Sequence, residues 1–193
     1  MHGTFQEEAL APIPFWFLRH GETDWNVQGI SQGNVDIPLN ATGIAQARAA
    51  AKRLRSRSIA TIVSSPLSRA RVTAEFVGEV LGLPVALDPD LREVSFGVQE
   101  GQKMADWFAG WINGEFTPEG AETFASLRRR AIAAANRAIA QPPAVLVVAH
   151  GALFRSLRHA MGILPNMRTQ NAVPIFCQPP GADEVAWTLH PVL

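Results

Sequence analysis

The sequence predicts an α/β fold: a three-layer αβα sandwich around a mostly parallel sheet of about six strands, with a small cap segment. Three observations carry this reading. Short apolar runs alternate with Ala- and Arg-rich stretches of helical length, the pattern of strands joined by helical crossovers. Two of those runs, Phe15 to Leu18 and Ala144 to Ala149, are apolar at every position, as strands covered on both faces must be. Both are followed by a histidine and a glycine, His20-Gly21 and His150-Gly151. Their C-terminal ends therefore deliver polar groups to the end of the sheet where α/β folds bind ligands.

The elements follow in order. Pro14 to Leu18 is the first strand. Asn40-Ala41-Thr42-Gly43 leads into a helix over Ile44 to Arg57, with Thr42 as its predicted cap. A short strand over Ala60 to Val63 turns into a helix over Pro66 to Leu81, with Pro66 suited to a first turn and Gly82 to the end. Val85 to Leu87 is another short strand, and Met104 to Trp111 a short helix expected to carry exposed aromatics. Glu122 to Ala140 is a long helix halted by Pro142-Pro143. Ala144 to Ala149 is the central strand, and Leu153 to Met161 the helix after it. Val173 to Cys177 and Val185 to Leu189 are the last strands, separated by the turn-forming Pro179-Pro180-Gly181. The chain, 1–193, reads as one domain with an N-terminal tail over 1–12 and a cap over 101–126.

Composition narrows the function classes. Hydrophobic residues are 47% of the chain, enough for a full core. Lys+Arg and Asp+Glu are 17 each, a balance that argues against nucleic acid as a partner. Cys177 is the only cysteine, and its place in an apolar strand makes it a small core residue. No Cys/His cluster has metal-ligand spacing, so no metal is expected. No apolar run reaches the ~20 residues of a membrane span. Met1 to Pro12 contains Glu7 and Glu8 and lacks a basic start with a long apolar core. No leader and no membrane partner are expected, and cytoplasmic residence is the default. Monomer and homodimer are both compatible with the sequence.

Between the two His-Gly ends lies Ser64-Ser65-Pro66-Leu67-Ser68-Arg69-Ala70, where a strand turns into a helix. Arg19 and Arg69, with His20 and His150, suggest one cationic pocket suited to phosphate, since arginine's planar fork meets two phosphoryl oxygens and stays charged. Leu18 to Thr23 with Trp25-Asn26, Ser64 to Ala70, Leu91-Arg92-Glu93-Val94-Ser95-Phe96-Gly97 with Glu100-Gly101, and Val148-Ala149-His150-Gly151 occur in that order. Together they resemble the motifs of the histidine phosphatase superfamily, also called the phosphoglycerate mutase-like family, over residues 14 to about 160.

The resemblance implies a metal-independent phosphatase that needs no cofactor and acts on a small phosphorylated metabolite. His20 would be the nucleophile, its second ring nitrogen held by a hydrogen bond, and neighbouring arginines would keep it unprotonated. Arg19 and Arg69 would clamp the phosphate and His150 would donate to the transferred group. Glu93 would protonate the leaving oxygen and later activate water, a double role that needs partial burial. Glu100 and Glu22 are its rivals by residue type. Asn26 would add a neutral donor, and Thr23, Gln32, Gly33 and the Gly151 backbone would line the pocket. Arg71 competes with Arg69 but lies on another helix face.

Two alternatives stand beside this reading: phosphoglycerate mutase-type phosphoryl transfer, and a non-catalytic phosphate-binding module. Family mutases carry Arg-His-Tyr after the acid. Here Val94-Ser95-Phe96-Gly97 follows Glu93, and the chain has no tyrosine. Trp107, Phe108 and Trp111 either stack on substrate or pack the cap helix onto the body. In Arg128-Arg129-Arg130, only Arg130 shares a helical face with Thr123 and Leu127.

Overall fold

Phe15, Trp16, Phe17 and Leu18 are all buried, and their side chains divide between the two faces of a sheet: Phe15 and Phe17 join one apolar cluster, Trp16 and Leu18 another. Val145, Val147 and Ala149 divide from Leu146 and Val148 in the same way. This two-sided burial is what a parallel strand covered by helices on both faces requires. The computed structural model describes residues 9–193. Among them, β1 (Phe15–Arg19), β2 (Thr61–Ser64), β3 (Val85–Leu87), β4 (Val145–Ala149), β5 (Pro174–Gln178) and β6 (Thr188–Pro191) form one sheet in the order β3-β2-β4-β1-β5-β6. The first four are mutually parallel, while β5 runs antiparallel to both β1 and β6.

Helices α2 (Ala41–Leu54) and α3 (Ser68–Leu81) cover one face through Ala50, Ala51, Leu54, Ala70, Ala74 and Val77. Helices α5 (Phe124–Ile139) and α6 (Gly151–Ala160) cover the other, where Phe154 stacks on Phe17 with ring centroids 3.9 Å apart. The result is the three-layer αβα arrangement that the alternating pattern predicts. Two short helices, α1 (Asp24–Gln28) and α4 (Trp107–Asn113), lie in connections. No helix among the described residues is long and apolar enough to cross a membrane.

Three expectations need correction. The α2 helix starts at Ala41, and its cap is Asn40, whose Oδ1 accepts from Gly43 N–H at 2.8 Å; Thr42 sits inside the first turn. The cap aromatics are not exposed. Trp111 is fully buried, donates Nε1–H to the Glu122 carbonyl at 2.8 Å, and meets Phe96 and Phe124 edge to face; Trp107 and Phe108 are half-buried against Phe96. The last strand is Thr188–Pro191, not Val185 to Leu189: burial of Trp187 sets its start, and Val185 is 97% exposed. Of the tail over 1–12, residues 1–8 lie outside the described residues. The remainder docks on the body: Leu10 is in the core, and Asn136 of α5 bonds Ala11 N–H and the Ala9 carbonyl. Cys177 is buried in β5, and burial pushes its thiol upward, as suits a core residue.

The connection leaving β1 crosses the first turn of α2 at backbone contact. A Cβ on Gly43 would strike the Glu22 carbonyl, and one on Gly21 would strike the Gly43 carbonyl. Neither obstacle is a flexible side chain that can swing away. Gly43→Ala is therefore expected to cost about 1–3 kcal/mol of stability, read as a lower urea midpoint at unchanged slope.

Candidate active site

The ladder that pairs β4 with both neighbours decides where the polar groups meet. Arg19 stands opposite Ala149, and Ser64 opposite Val148. The pairing continues one residue further, with His20 N–H bonded to the Ala149 carbonyl and Ser65 N–H to the Val148 carbonyl, each at 3.0 Å. Arg19-His20, Ser65 and His150 thus emerge side by side at the C-terminal end of three adjacent strands. His20 and His150 are buried, with ring centroids 5.3 Å apart.

His20 Nδ1 lies 2.7 Å from the carbonyl oxygen of Gly21. A carbonyl only accepts, so Nδ1 carries the proton and Nε2 keeps its lone pair. Burial, then Arg69, then Arg19 hold this imidazole well below its usual pKa, against the opposing pull of the Gly21 carbonyl. His150 is held down by burial first, then by Arg69, His20 and Arg19. Its Nε2 lies 2.8 Å from Ser65 Oγ, which accepts from Leu67 N–H and has no other acceptor for its own proton among the described residues. Ser65 therefore donates to Nε2, and the His150 proton sits on Nδ1, a buried atom with no partner.

Two guanidiniums flank the imidazoles. Arg19 Nη1 donates to the Thr169 carbonyl (2.7 Å), while its buried Nε has no partner. Burial lowers its pKa to about 10, partly offset by Glu93. Arg69, 1% exposed on α3, donates Nη1–H to the Val35 carbonyl (2.8 Å) and Nη2–H to the Gly33 carbonyl (2.7 Å), again leaving a buried Nε unpartnered. Gly33 presents that carbonyl from a left-handed backbone, φ 51°, where a Cβ would meet the Glu100 carboxylate. Arg71 is exposed and pairs with Glu75 one turn along α3.

Glu93 is 8% exposed, and its carboxylate docks on the start of α6: Oε2 accepts from Ala152 N–H at 3.0 Å, Oε1 from Leu153 N–H at 3.0 Å and Val94 N–H at 3.1 Å. An anion suits a helix N-terminus, where N–H groups lack intrahelical acceptors. The loop bearing Glu93 is held from α5: Arg130 Nη1 donates to the Asp90 and Arg92 carbonyls while the same guanidinium forks onto Glu122.

His20, both guanidiniums and Glu93 border a cavity of about 280 Å³, whereas His150 lies behind its lining residues. Arg19, His20, Asn26, Gln32, Gly33, Arg69, Glu93 and Gly151 line it, with Glu93 the only carboxylate among the described lining residues. Glu100 accepts from Phe96 N–H and Asn34 N–H, and Glu22 accepts from Asn40 Nδ2, so both rivals hold backbone turns or caps instead. Thr23 does not line the cavity. It is fully buried, caps α1 in a reciprocal box with Asn26 and donates to Gln32 Oε1, which positions two lining residues from behind. None of Arg128, Arg129 and Arg130 lines the cavity; Phe108 of α4 does.

Sequence reasoning missed Arg155, Arg168 and Thr169 on the lining, and Asn171, whose Nδ2 donates to the His20 carbonyl (3.0 Å) and Asn26 Oδ1 (3.2 Å). Arg155 was findable: it is one turn beyond Gly151 on α6, hence on the same face. The segment after α6 carries no motif that marks its contribution. Among the described residues no group of three or more His, Cys, Asp or Glu could hold a metal ion.

Two expectations follow from this geometry. Histidine nitrogen shifts should report His150 as the Nδ1–H tautomer in the wild type and a mixture in Ser65→Ala; an Nε2–H wild type would overturn the Ser65 assignment. Stability should also fall with acid. Above about pH 6.5 both imidazoles are neutral folded or unfolded; below it the unfolded chain takes up protons that the folded one refuses. Urea stability should therefore decline from about pH 6.5 toward 5.5, by up to about 1.4 kcal/mol per pH unit for each imidazole, with a shallower decline in His20→Gln.

Comparison with known proteins agrees with the geometry. Residues 15–174 match the family model of the histidine phosphatase superfamily (branch 1). The chain is 40% identical over 143 residues to the uncharacterized phosphatase PhoE of Bacillus subtilis (strain 168), covering 72% of each protein. It is 38% identical over 152 residues to the probable phosphoglycerate mutase GpmB of Proteus mirabilis (strain HI4320), covering 72% of this chain and 70% of the relative. The solved structure of a mycobacterial glucosyl-3-phosphoglycerate phosphatase in complex with VO3 superposes with a TM-score of 0.78 at 31% identity, over 92% of this chain and 97% of that one. The chain belongs to the histidine phosphatase superfamily, branch 1.

Proposed function

We propose that the protein is a metal-independent phosphatase that hydrolyses small phosphate monoesters through a phosphohistidine at His20. The observation that carries this reading is the set of unpartnered buried nitrogens, Arg19 Nε, Arg69 Nε and His150 Nδ1, gathered around one imidazole whose Nε2 lone pair is free. Buried polar atoms without partners are costly, and these N–H groups suit the oxygens of a phosphoryl group. Kinship with PhoE and the mycobacterial phosphatase supports the same chemistry.

In the first step the Glu93 carboxylate takes the proton of a monoanionic phosphate ester, His20 Nε2 attacks phosphorus while the bond to the leaving oxygen breaks, and Glu93 passes that proton to the leaving oxygen. Arg19, Arg69 and His150 hold the charge on the remaining phosphoryl oxygens. In the second step water gives a proton to Glu93, its oxygen bonds phosphorus, and the N–P bond breaks. Glu93 returns the proton taken from water to the phosphate, which leaves with His20 neutral and Glu93 again a carboxylate. Charge stabilisation comes from fixed guanidiniums, so no step requires a metal. Cytoplasmic residence fits a small-metabolite phosphatase and belongs to the same proposal.

Relatives named as probable phosphoglycerate mutases favour a second reading, transfer of the phosphoryl group to another hydroxyl. Product analysis separates the two: hydrolysis yields inorganic phosphate, transfer yields an isomeric ester.

With p-nitrophenyl phosphate and excess EDTA, the wild type is expected to release inorganic phosphate. His20→Ala should lose about a thousandfold or more, as removal of a covalent nucleophile does, and rapid quenching should trap acid-labile phosphoprotein only with His20 present. Turnover that persists in His20→Ala, or that EDTA abolishes, would overturn the mechanism.

A further inference from the structure

Outside the phosphate cavity, one buried guanidinium has nothing to hold it. Arg158, in the last turn of α6, is 8% exposed. Its Nε is sealed from solvent without a partner, and its other N–H groups meet no acceptor among the described residues. Arg19 and Arg69, by contrast, each rest on backbone carbonyls. Phe154 covers Arg158 from one side, with its ring centroid 5.4 Å from Cζ. The acidic group that bears on Arg158 is the Cys177 thiol, which burial pushes upward and so keeps neutral. No counter-ion reaches this charge from the described residues.

A buried charge without hydrogen bonds or a counter-ion is strongly unfavourable unless something else supplies them. Arg158 borders a second cavity, of about 530 Å³, set between the end of α6, the segment after it, and strands β5 and β6. Ile163, Val173, Ile175, Trp187 and Leu189 make its wall apolar, and the exposed Met167 stands at its mouth. No aspartate or glutamate is among its described lining residues. Thr169 adds a further donor without a partner, its buried Oγ1. An apolar chamber of ligand size with one uncompensated cation is complementary to a molecule carrying one anionic group on an apolar body. A short phosphate ester lacks the apolar half, and a neutral hydrocarbon leaves the guanidinium uncompensated.

We propose that this cavity is a second ligand site, distinct from the phosphate cavity, for an apolar monocarboxylate of the medium-chain aliphatic class. Its carboxylate takes the Arg158 fork, which meets two coplanar oxygens, while its chain lies along Ile175, Trp187 and Leu189. Burial of the chain supplies affinity, and the charge supplies selection. Arg168 and Thr169 line both cavities, and the Thr169 carbonyl is the acceptor for Arg19 Nη1. The two ligands therefore share one wall, and that wall holds a phosphate clamp.

Calorimetric titration of the wild-type protein with octanoate, 1-octanol and propionate tests the site. Octanoate is expected to bind about tenfold tighter or better than 1-octanol, the effect of a hydrogen bond to a charged group, and tighter than propionate, which lacks the apolar body. Arg158 and Met167 border this cavity and not the phosphate cavity, so substitutions there locate the binding. Arg158→Met should bring the ratio of octanoate to 1-octanol affinity close to one. Met167→Glu, at an exposed position, places a negative charge at the mouth and should weaken octanoate far more than 1-octanol; it remains informative if Arg158→Met does not fold. Octanoate affinity weaker than about 1 mM, or equal binding of octanoate and 1-octanol, would overturn the site. So would a preference that survives Arg158→Met, or that survives Met167→Glu where Arg158→Met does not fold. None of the probes carries phosphorus, so the outcome is independent of the chemistry at His20.

Discussion

Parallel pairing of β4 with both β1 and β2 is the constraint on which the site depends. A strand buried on both faces can be polar only where it ends, and parallel neighbours in register end together. The nucleophile candidate, its arginine, the serine that orients the second histidine and that histidine itself are thereby brought to one place by two ladders. None of these residues needs a flexible loop to reach the others. The outer strands β5 and β6 contribute no side chain to the cavity lining; β5 instead extends the sheet beyond β1 and shields its far edge.

The electrostatic design follows from how dry that place is. Guanidiniums keep their charge under burial because their ordinary pKa is so high, as Arg19 at about 10 illustrates. Imidazoles in the same surroundings go the other way and stay neutral. One desolvated field therefore leaves permanent cations and unprotonated imidazole nitrogens side by side. Backbone carbonyls complete the arrangement: those of Gly33, Val35 and Thr169 fix the arginines and that of Gly21 fixes the His20 tautomer, without adding competing negative charge.

The layered fold and the central members of the site were legible in the sequence because they follow from local pattern. The apolar runs at Phe15 and Ala144 and the glycines after each histidine are contiguous signals. Thr23 shows the limit of that reading: as a polar residue beside the nucleophile it looked like a pocket residue, yet Thr-x-x-Asn is also a helix-cap pattern, and the cap prevails. Trp111 shows another. Its burial depends on Phe96 and Phe124, which come from different segments, and no local period announces that encounter. Arg168 and Thr169 reach the cavity, and Asn171 reaches His20 and Asn26, from the stretch between α6 and β5 through long-range contacts alone, so nothing near them in sequence marks their place.

Arg130 has a consequence for anyone who would redesign this protein. Its fork onto Glu122 ties the end of the cap to α5, and its other donors hold the two carbonyls just before Glu93. The segment ending at Glu122, the aromatic packing beneath it and the loop bearing Glu93 are thus one mechanical unit. A cap transplanted from another family member to alter selectivity would carry or lose the partner of Arg130 along with its aromatics. A graft that neglects Glu122 would then shift Glu93 without altering any residue that lines the cavity.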